Sequence, residues 1–268
     1  MYYTITSEFA CNGRTVMSLL ARQLLVCLGA AHTLGYFVLP YERVAAHKSK
    51  IVRVLPHALA SAILSYLICG SWSAWLIPAG VFVTHLLVDA FRIRVRPQDA
   101  VCFLLEQSAH IAALLLIAVA AARQNPSLYF ATAFGAASLK TLMIVLGFVL
   151  AVFGGGVLVG LAVKPLLAEL KKETGGSGRV SREGRGFEHG GKYIGLLERA
   201  LTFFFTLTGQ AASIGFLIAD KSIFRFGELR DHRHRMEAEY IIIGSMMSFG
   251  FGLLVAFGVQ WLLGLKWT

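Results

Sequence analysis

Charge is scarce in this sequence. Asp, Glu, Lys and Arg make up 15% of the residues, hydrophobic residues make up 56%, and the mean hydropathy is +0.66. Soluble domains carry roughly a quarter charged residues, so a soluble globular surface is excluded. Cysteine is also sparse: there are four, with no Cys-x-x-Cys pair. A disulfide framework or a thiolate zinc site is therefore set aside, and Cys27, Cys69 and Cys102 read as small apolar fillers. No His-Glu-x-x-His, nucleophile elbow or P-loop occurs, so the soluble-enzyme chemistries tied to those motifs lack support. No internal period appears, which argues against a solenoid. The first apolar run has no small-residue cleavage site after it and reads as a retained span rather than a signal peptide.

What fills the chain instead is long apolar runs. Several are uncharged over the roughly 20 residues that a helix needs to cross about 30 Å of hydrocarbon. The expectation is an all-α polytopic membrane protein with about seven transmembrane helices in two bundles, four plus three, and a short re-entrant or interfacial helix. The spans fall at about 17–39, 54–70, 75–91, 101–122, 141–163, 200–219 and 241–263. The dozen apolar residues at 128–139 are too few to cross and read as the re-entrant piece. This divides the chain into an N-terminal bundle (1–123), a re-entrant segment with the fifth span (124–163), a basic Gly-rich cytoplasmic linker (164–192) and a C-terminal two-span region (193–268).

The net charge is +10. Its basic residues cluster in short loops beside spans, such as Arg92-Ile93-Arg94-Val95-Arg96. That is the positive-inside pattern, with anionic lipid of the bilayer as the expected partner and no nucleic acid. It sets the N-terminus outside and the C-terminus in the cytoplasm. Arg92, Arg94, Lys221 and Arg225 are the candidate contacts for a headgroup or other anion. Gln107, Glu198, Arg199 and Glu237 are candidates for structural or coupling roles at span ends.

Ionisable residues inside spans are costly and mark function by default. His85 and Asp89 are four apart in the third span, and Glu106 and His110 four apart in the fourth, so each pair lies on one helix face. Counted at 1.5 Å per residue from the inner span ends, His32, His57, His85, Asp89, Glu106 and His110 all fall roughly 5–15 Å deep. Four spans thus offer imidazole or carboxylate in one layer. Such side chains on facing helices hold Zn, Fe or Mn in helical bundles. His85, Asp89 and His110 are the first choice of ligands for a divalent transition metal, with His32 and His57 completing a second position and Glu106 as the catalytic base. The bland alternative is that these groups only hydrogen-bond across helices, each contributing on the order of 1 kcal/mol.

The spacing resembles a bacterial membrane family known as domain of unknown function 3307. The likeness rests on His32-Thr33-Leu34-Gly35-Tyr36-Phe37-Val38-Leu39-Pro40 against His-x-x-x-Asp-Phe-x-Leu-Gln, then Lys48, His57, His85-x-x-x-Asp89 with Arg92, and Glu106-Gln107-Ser108-Ala109-His110 against Asp-Gln-x-x-His. It continues in Gly191-Lys192-Tyr193-Ile194-Gly195-Leu196-Leu197-Glu198-Arg199, in Lys221-Ser222-Ile223-Phe224-Arg225-Phe226 and in Glu237-Ala238-Glu239-Tyr240. Tyr36 and Glu106 stand where the family pattern has Asp. The resemblance implies a bacterial inner-membrane protein and a polar constellation, and no activity.

Three functions fit these residues. The first is a membrane-embedded metal-dependent hydrolase acting on a lipid or amphiphile from the cytoplasmic leaflet. The second is a transporter or ion/proton-permeation protein using the same polar layer. The third is a membrane signalling or assembly partner, working with a protein partner or as a homo-oligomer.

Overall fold

The computed structural model describes residues 18–39, 50–94, 99–124, 129–173, 190–223 and 235–264. Every regular element among them is helical: α1 (Leu19–Phe37), α2 (Lys50–Cys69), α3 (Leu76–Arg94), α4 (Ala100–Ala122), α5 (Tyr129–Val149), a π-turn (Leu150–Gly154), α6 (Gly155–Ala162), α7 (Lys164–Glu173), α8 (Gly190–Leu207), α9 (Ala211–Ile223) and α10 (Arg235–Leu262). Among the described residues, four helical stretches are long and apolar enough to cross a membrane: Leu76–Arg94, Ala100–Ala122, Ala137–Ala162 and Ala238–Leu262. Val54–Cys69 is a shorter apolar helix.

The side-chain pattern is inside-out relative to a soluble protein. Along α2, His57, Ser61 and Ser65 are buried, whereas Leu55, Leu59, Ile63 and Leu67 are about half exposed. Along α3, Val81, His85 and Asp89 are buried while Val83, Leu87 and Phe91 are exposed. Both sets repeat every four residues, so each helix turns a polar or mixed stripe inward and an apolar stripe outward. Only an apolar surrounding makes that arrangement favourable, and a lipid bilayer supplies it.

Two compact units result. The first is built on α1, α2, α3 and α4 from Ser108 on, and continues to Leu142; the second takes the first two turns of α4 and everything described from Met143 on. In the first unit, Leu24 and Leu28 of α1 pack with Ala62 of α2, Ile77 and Val81 of α3, and Ala118 and Ala121 of α4. Small residues let the backbones approach: a Cβ on Gly35 would sit 3.1 Å from Ser61 Oγ. In the second unit, Phe203 of α8, Ala151 of the π-turn, and Val255, Ala256 and Val259 of α10 form the core.

The helix ends follow from local chemistry. Asp99 caps α4, its Oδ1 accepting a hydrogen bond from the Cys102 N–H at 2.7 Å. Gly70, at φ 60°, ends α2, its N–H donating to the Tyr66 carbonyl at 3.0 Å. The Asp99 carboxyl is held below the ordinary carboxylate range chiefly by the Cys102 N–H. A carboxyl lowered on folding stabilises the folded state above its unfolded pKa, and that contribution disappears as pH falls through the folded value. The start of α4 is therefore expected to lose amide-exchange protection at Cys102 only below about pH 4. Asp99→Asn, which keeps a capping oxygen, should abolish that pH dependence, and Asp99→Ala should remove the protection at every pH.

Several sequence expectations change. The apolar stretch 200–219 is not one span: α8 ends at Leu207 and α9 begins at Ala211. Between them Gly209 adopts φ 71°, with the Gln210 N–H on the Phe205 carbonyl (2.8 Å) and the Gly209 N–H on Thr206 (3.2 Å). This is a Schellman stop, which turns the chain out of the helix at a left-handed glycine. Residues 128–139 do not make a separate short helix, because the helix beginning at Tyr129 runs unbroken to Val149 with no proline to stop it. The first third of the expected linker is helical (α7), and its Leu170 is buried. The Gly175-Gly176-Ser177-Gly178 stretch lies outside the described residues.

Candidate metal centre

Helices α1 to α4 each contribute to one buried cluster. His32 and Tyr36 lie one turn apart on α1, His57 lies on α2, His85 and Asp89 lie one turn apart on α3, and His110 lies on α4 with Glu106 one turn before it. All six of the imidazole and carboxylate residues are buried, His110 completely. Ring centroids are 4.5 Å apart for His85 and His110, 4.9 Å for His32 and His110, and 5.6 Å for His57 and His85. Residues of four helices thus come together at one place.

The hydrogen bonds fix which nitrogens carry protons. His85 Nδ1 is 2.9 Å from the Val81 carbonyl, and a carbonyl only accepts, so Nδ1 carries the hydrogen. In the neutral ring His85 Nε2 is then the acceptor, and His32 Nδ1, 2.9 Å away, donates to it. His32 is therefore aimed by His85, which is aimed by a backbone carbonyl. Asp89 faces two further rings with different oxygens: Oδ1 is 3.3 Å from His110 Nε2, and Oδ2 is 3.8 Å from His57 Nε2.

Asp89, Glu106 and His110 each offer a ligand atom, and these atoms all lie within 4.8 Å of one another. A nitrogen and carboxylate oxygens at that spacing suit a borderline divalent cation. The trio differs from the one expected by spacing. Glu106, expected as the base, is one of the three groups whose ligand atoms converge, and His85, expected as a ligand, hydrogen-bonds through its ring nitrogens to His32 and Val81. The charge balance points the same way. A divalent cation there would balance the charge of carboxylates that hold it among buried groups.

Tyr36 belongs to the cluster although the sequence reading left it out of the site. Its ring centroid is 5.5 Å from that of His57 and 5.7 Å from that of His32, and its hydroxyl accepts from Arg92 Nη1 at 3.3 Å. The available signal was its position one turn after His32. Arg92 is thus tied to the rim of this cluster, while Arg94 is exposed at the end of α3. Gln107 is half-buried beside Glu106.

The other expected residues lie in the second unit. Lys221 donates to Glu198 Oε2 at 2.7 Å, so its partner is an internal carboxylate. Arg199 is buried and donates from Nε to the Val152 carbonyl (2.9 Å) and from Nη1 to Ser248 Oγ (3.0 Å). Arg225 and the side chain of Glu237 lie outside the described residues.

Residues 24–137 match the family described as Protein of unknown function (DUF3307). Over this segment the chain is similar to that family. The DUF3307 match covers less than half of the chain, yet it contains every member of the cluster from His32 to His110. Glu198, Arg199 and Lys221 lie beyond it, as does the whole C-terminal resemblance. No curated protein and no solved structure matches the chain.

Proposed function

We propose that the cluster is the centre of a membrane-embedded, metal-dependent hydrolase that acts on a lipid or amphiphile reached from the cytoplasmic leaflet. The observation that carries this reading is the convergence of Asp89, Glu106 and His110 ligand atoms within 4.8 Å in a buried site. Zn, Fe and Mn all suit this donor set. A cation held there supplies Lewis acidity toward an ester or phosphoester oxygen. His32, backed by His85 and Val81, has the geometry of an oriented base: a proton taken by His32 is stabilised through the His85 contact without reorienting either ring. Arg92, at the cytoplasmic end of α3 in this topology, meets an anionic headgroup and is steadied by Tyr36.

The His32–His85–Val81 chain also favours a second reading, a proton or cation path through the same layer. Metal content separates the two. Protein purified in mild detergent without chelator should carry tightly held transition metal in stoichiometric amount, and His110→Ala should lose it. No metal in any preparation, even after reconstitution with Zn, Fe or Mn, would overturn the hydrolase reading. Proton flux in liposomes that is abolished by His85→Phe would then establish the second.

A further inference from the structure

Arg199 is held inside the second unit with part of its hydrogen-bonding capacity unused. Val152 and Ser248, which accept from its Nε and Nη1, both lie within stretches long and apolar enough to cross a membrane. A charge held there is costly and marks function by default. A guanidinium has five N–H donors, and among the described residues these two bonds are all that Arg199 makes. The residue is only 6% exposed, yet Nη2, which has no partner among the described residues, is not sealed in. The adjacent carboxylate does not balance the charge, because Glu198 Oε2 is taken by Lys221 at 2.7 Å. Glu198, Arg199 and Lys221 together leave a net positive charge.

The space beside the guanidinium is bounded by glycines. A Cβ on Gly156 would lie 2.9 Å from Nη2 and would meet only Arg199 atoms within 4 Å, and one on Gly195 would lie 3.2 Å from Nη1. One turn further along each helix, a Cβ on Gly160 or on Gly191 would meet nothing within 4 Å. The fifth span and α8 run in opposite directions, since Gly147 meets Phe203 while Gly155 meets Arg199, so Gly160 and Gly191 lie toward the same end. Gly160 and Gly191 are exposed, Gly156 and Gly195 are half-buried, and Arg199 is buried. The glycines thus line a recess, free of side chains of their own, that deepens to Nη2. We infer that this recess binds a phosphate group, whose oxygens accept from the free N–H groups of Arg199 and whose charge balances the guanidinium. Lys164 and Lys192, exposed at the same end, suit the higher charge of phosphate over that of a carboxylate. The site shares no residue with the metal centre and does not depend on it.

The test uses the full chain, stripped of metal, in phosphatidylcholine nanodiscs with radiolabelled inorganic phosphate as the probe. The expected result is one saturably bound phosphate per chain, weakened at least about 10-fold in Gly156→Ala, the loss of roughly one hydrogen bond to a charged group. Gly156→Ala crowds the recess but keeps Arg199, so the test stands even where Arg199→Ala fails to fold. Where the phosphate belongs to a lipid headgroup, inorganic phosphate does not bind. Phosphatidylglycerol added to the same nanodiscs then stays with the chain, one molecule each, in native mass spectrometry, and Gly156→Ala loses it. Binding of neither probe, or binding that is unchanged in Gly156→Ala, would overturn the site.

Discussion

Asp89→Ala should lower divalent-cation affinity by at least about 100-fold, measured by competition with a chromophoric chelator in nanodiscs. Loss of second-shell partners alone typically lowers metal affinity about 10–100-fold, so loss of a ligand sets a larger expectation. Asp89 is the carboxylate that approaches two histidines from different helices, His110 at 3.3 Å and His57 at 3.8 Å. Its removal also leaves imidazoles crowded without a compensating negative charge. Asp89→Asn should fail nearly as badly, because the amide retains shape but not charge. In the wild type, affinity should fall as pH is lowered, since imidazole and carboxylate must shed protons to ligate. An Asp89→Ala protein that keeps its affinity within about threefold would show that the carboxylate is not a ligand.

The second large effect lies in the other unit. Arg199→Ala should destabilise it by about 2–4 kcal/mol, because a buried carbonyl loses its donor and the removed side chain leaves a cavity. The guanidinium makes two bonds that one ammonium cannot reproduce, to Val152 in the π-turn and to Ser248 of α10. Arg199→Lys should therefore recover little. The glycines are fitted to this side chain: a Cβ on Gly156 would lie 2.9 Å from Nη2, and one on Gly155 would lie 3.0 Å from Cδ. Denaturant unfolding in detergent, followed by exchange protection of α8 and α10, reads the effect. An Arg199→Ala midpoint equal to wild type would mean that neither bond contributes to stability.

The cluster was legible in sequence because two signals act together. Spacing by four sets His85 with Asp89 and Glu106 with His110 on helix faces, and counting from span ends sets four helices to one depth. Neither signal assigns roles within the cluster. The hydrogen bonds of His85 to His32 and to the Val81 carbonyl depend on ring orientation, which spacing does not encode. Lys221 read as a lipid contact because its pairing with Glu198, 23 residues earlier, follows from how α8 and α9 fold back on each other, which no local period encodes. The fold-back was itself hidden. Glycines are common inside apolar helices, so Gly209 within a hydrophobic run gave no reason to expect a reversal until its left-handed φ was seen. By contrast, the last span was plain from composition, and α10 continues one turn and more before it, from Arg235.

The π-turn at Leu150–Gly154 has a geometric effect on everything after it. The Gly155 N–H reaches back five residues to the Leu150 carbonyl, so the helix absorbs an extra residue there. In an unbroken α-helix, positions eight apart point about 80° away from each other, since each residue advances about 100°. Gly147 and Gly155 are eight apart, yet both face α8 and α10. Gly147 meets Phe203 and Val259, and Gly155 meets Arg199 and Phe251. The inserted residue brings the two glycines back into phase, so one contact line continues through the turn along helices running in the opposite direction. Deleting a single residue from 150–154 would restore regular winding and rotate the downstream half of the span out of step with its partners.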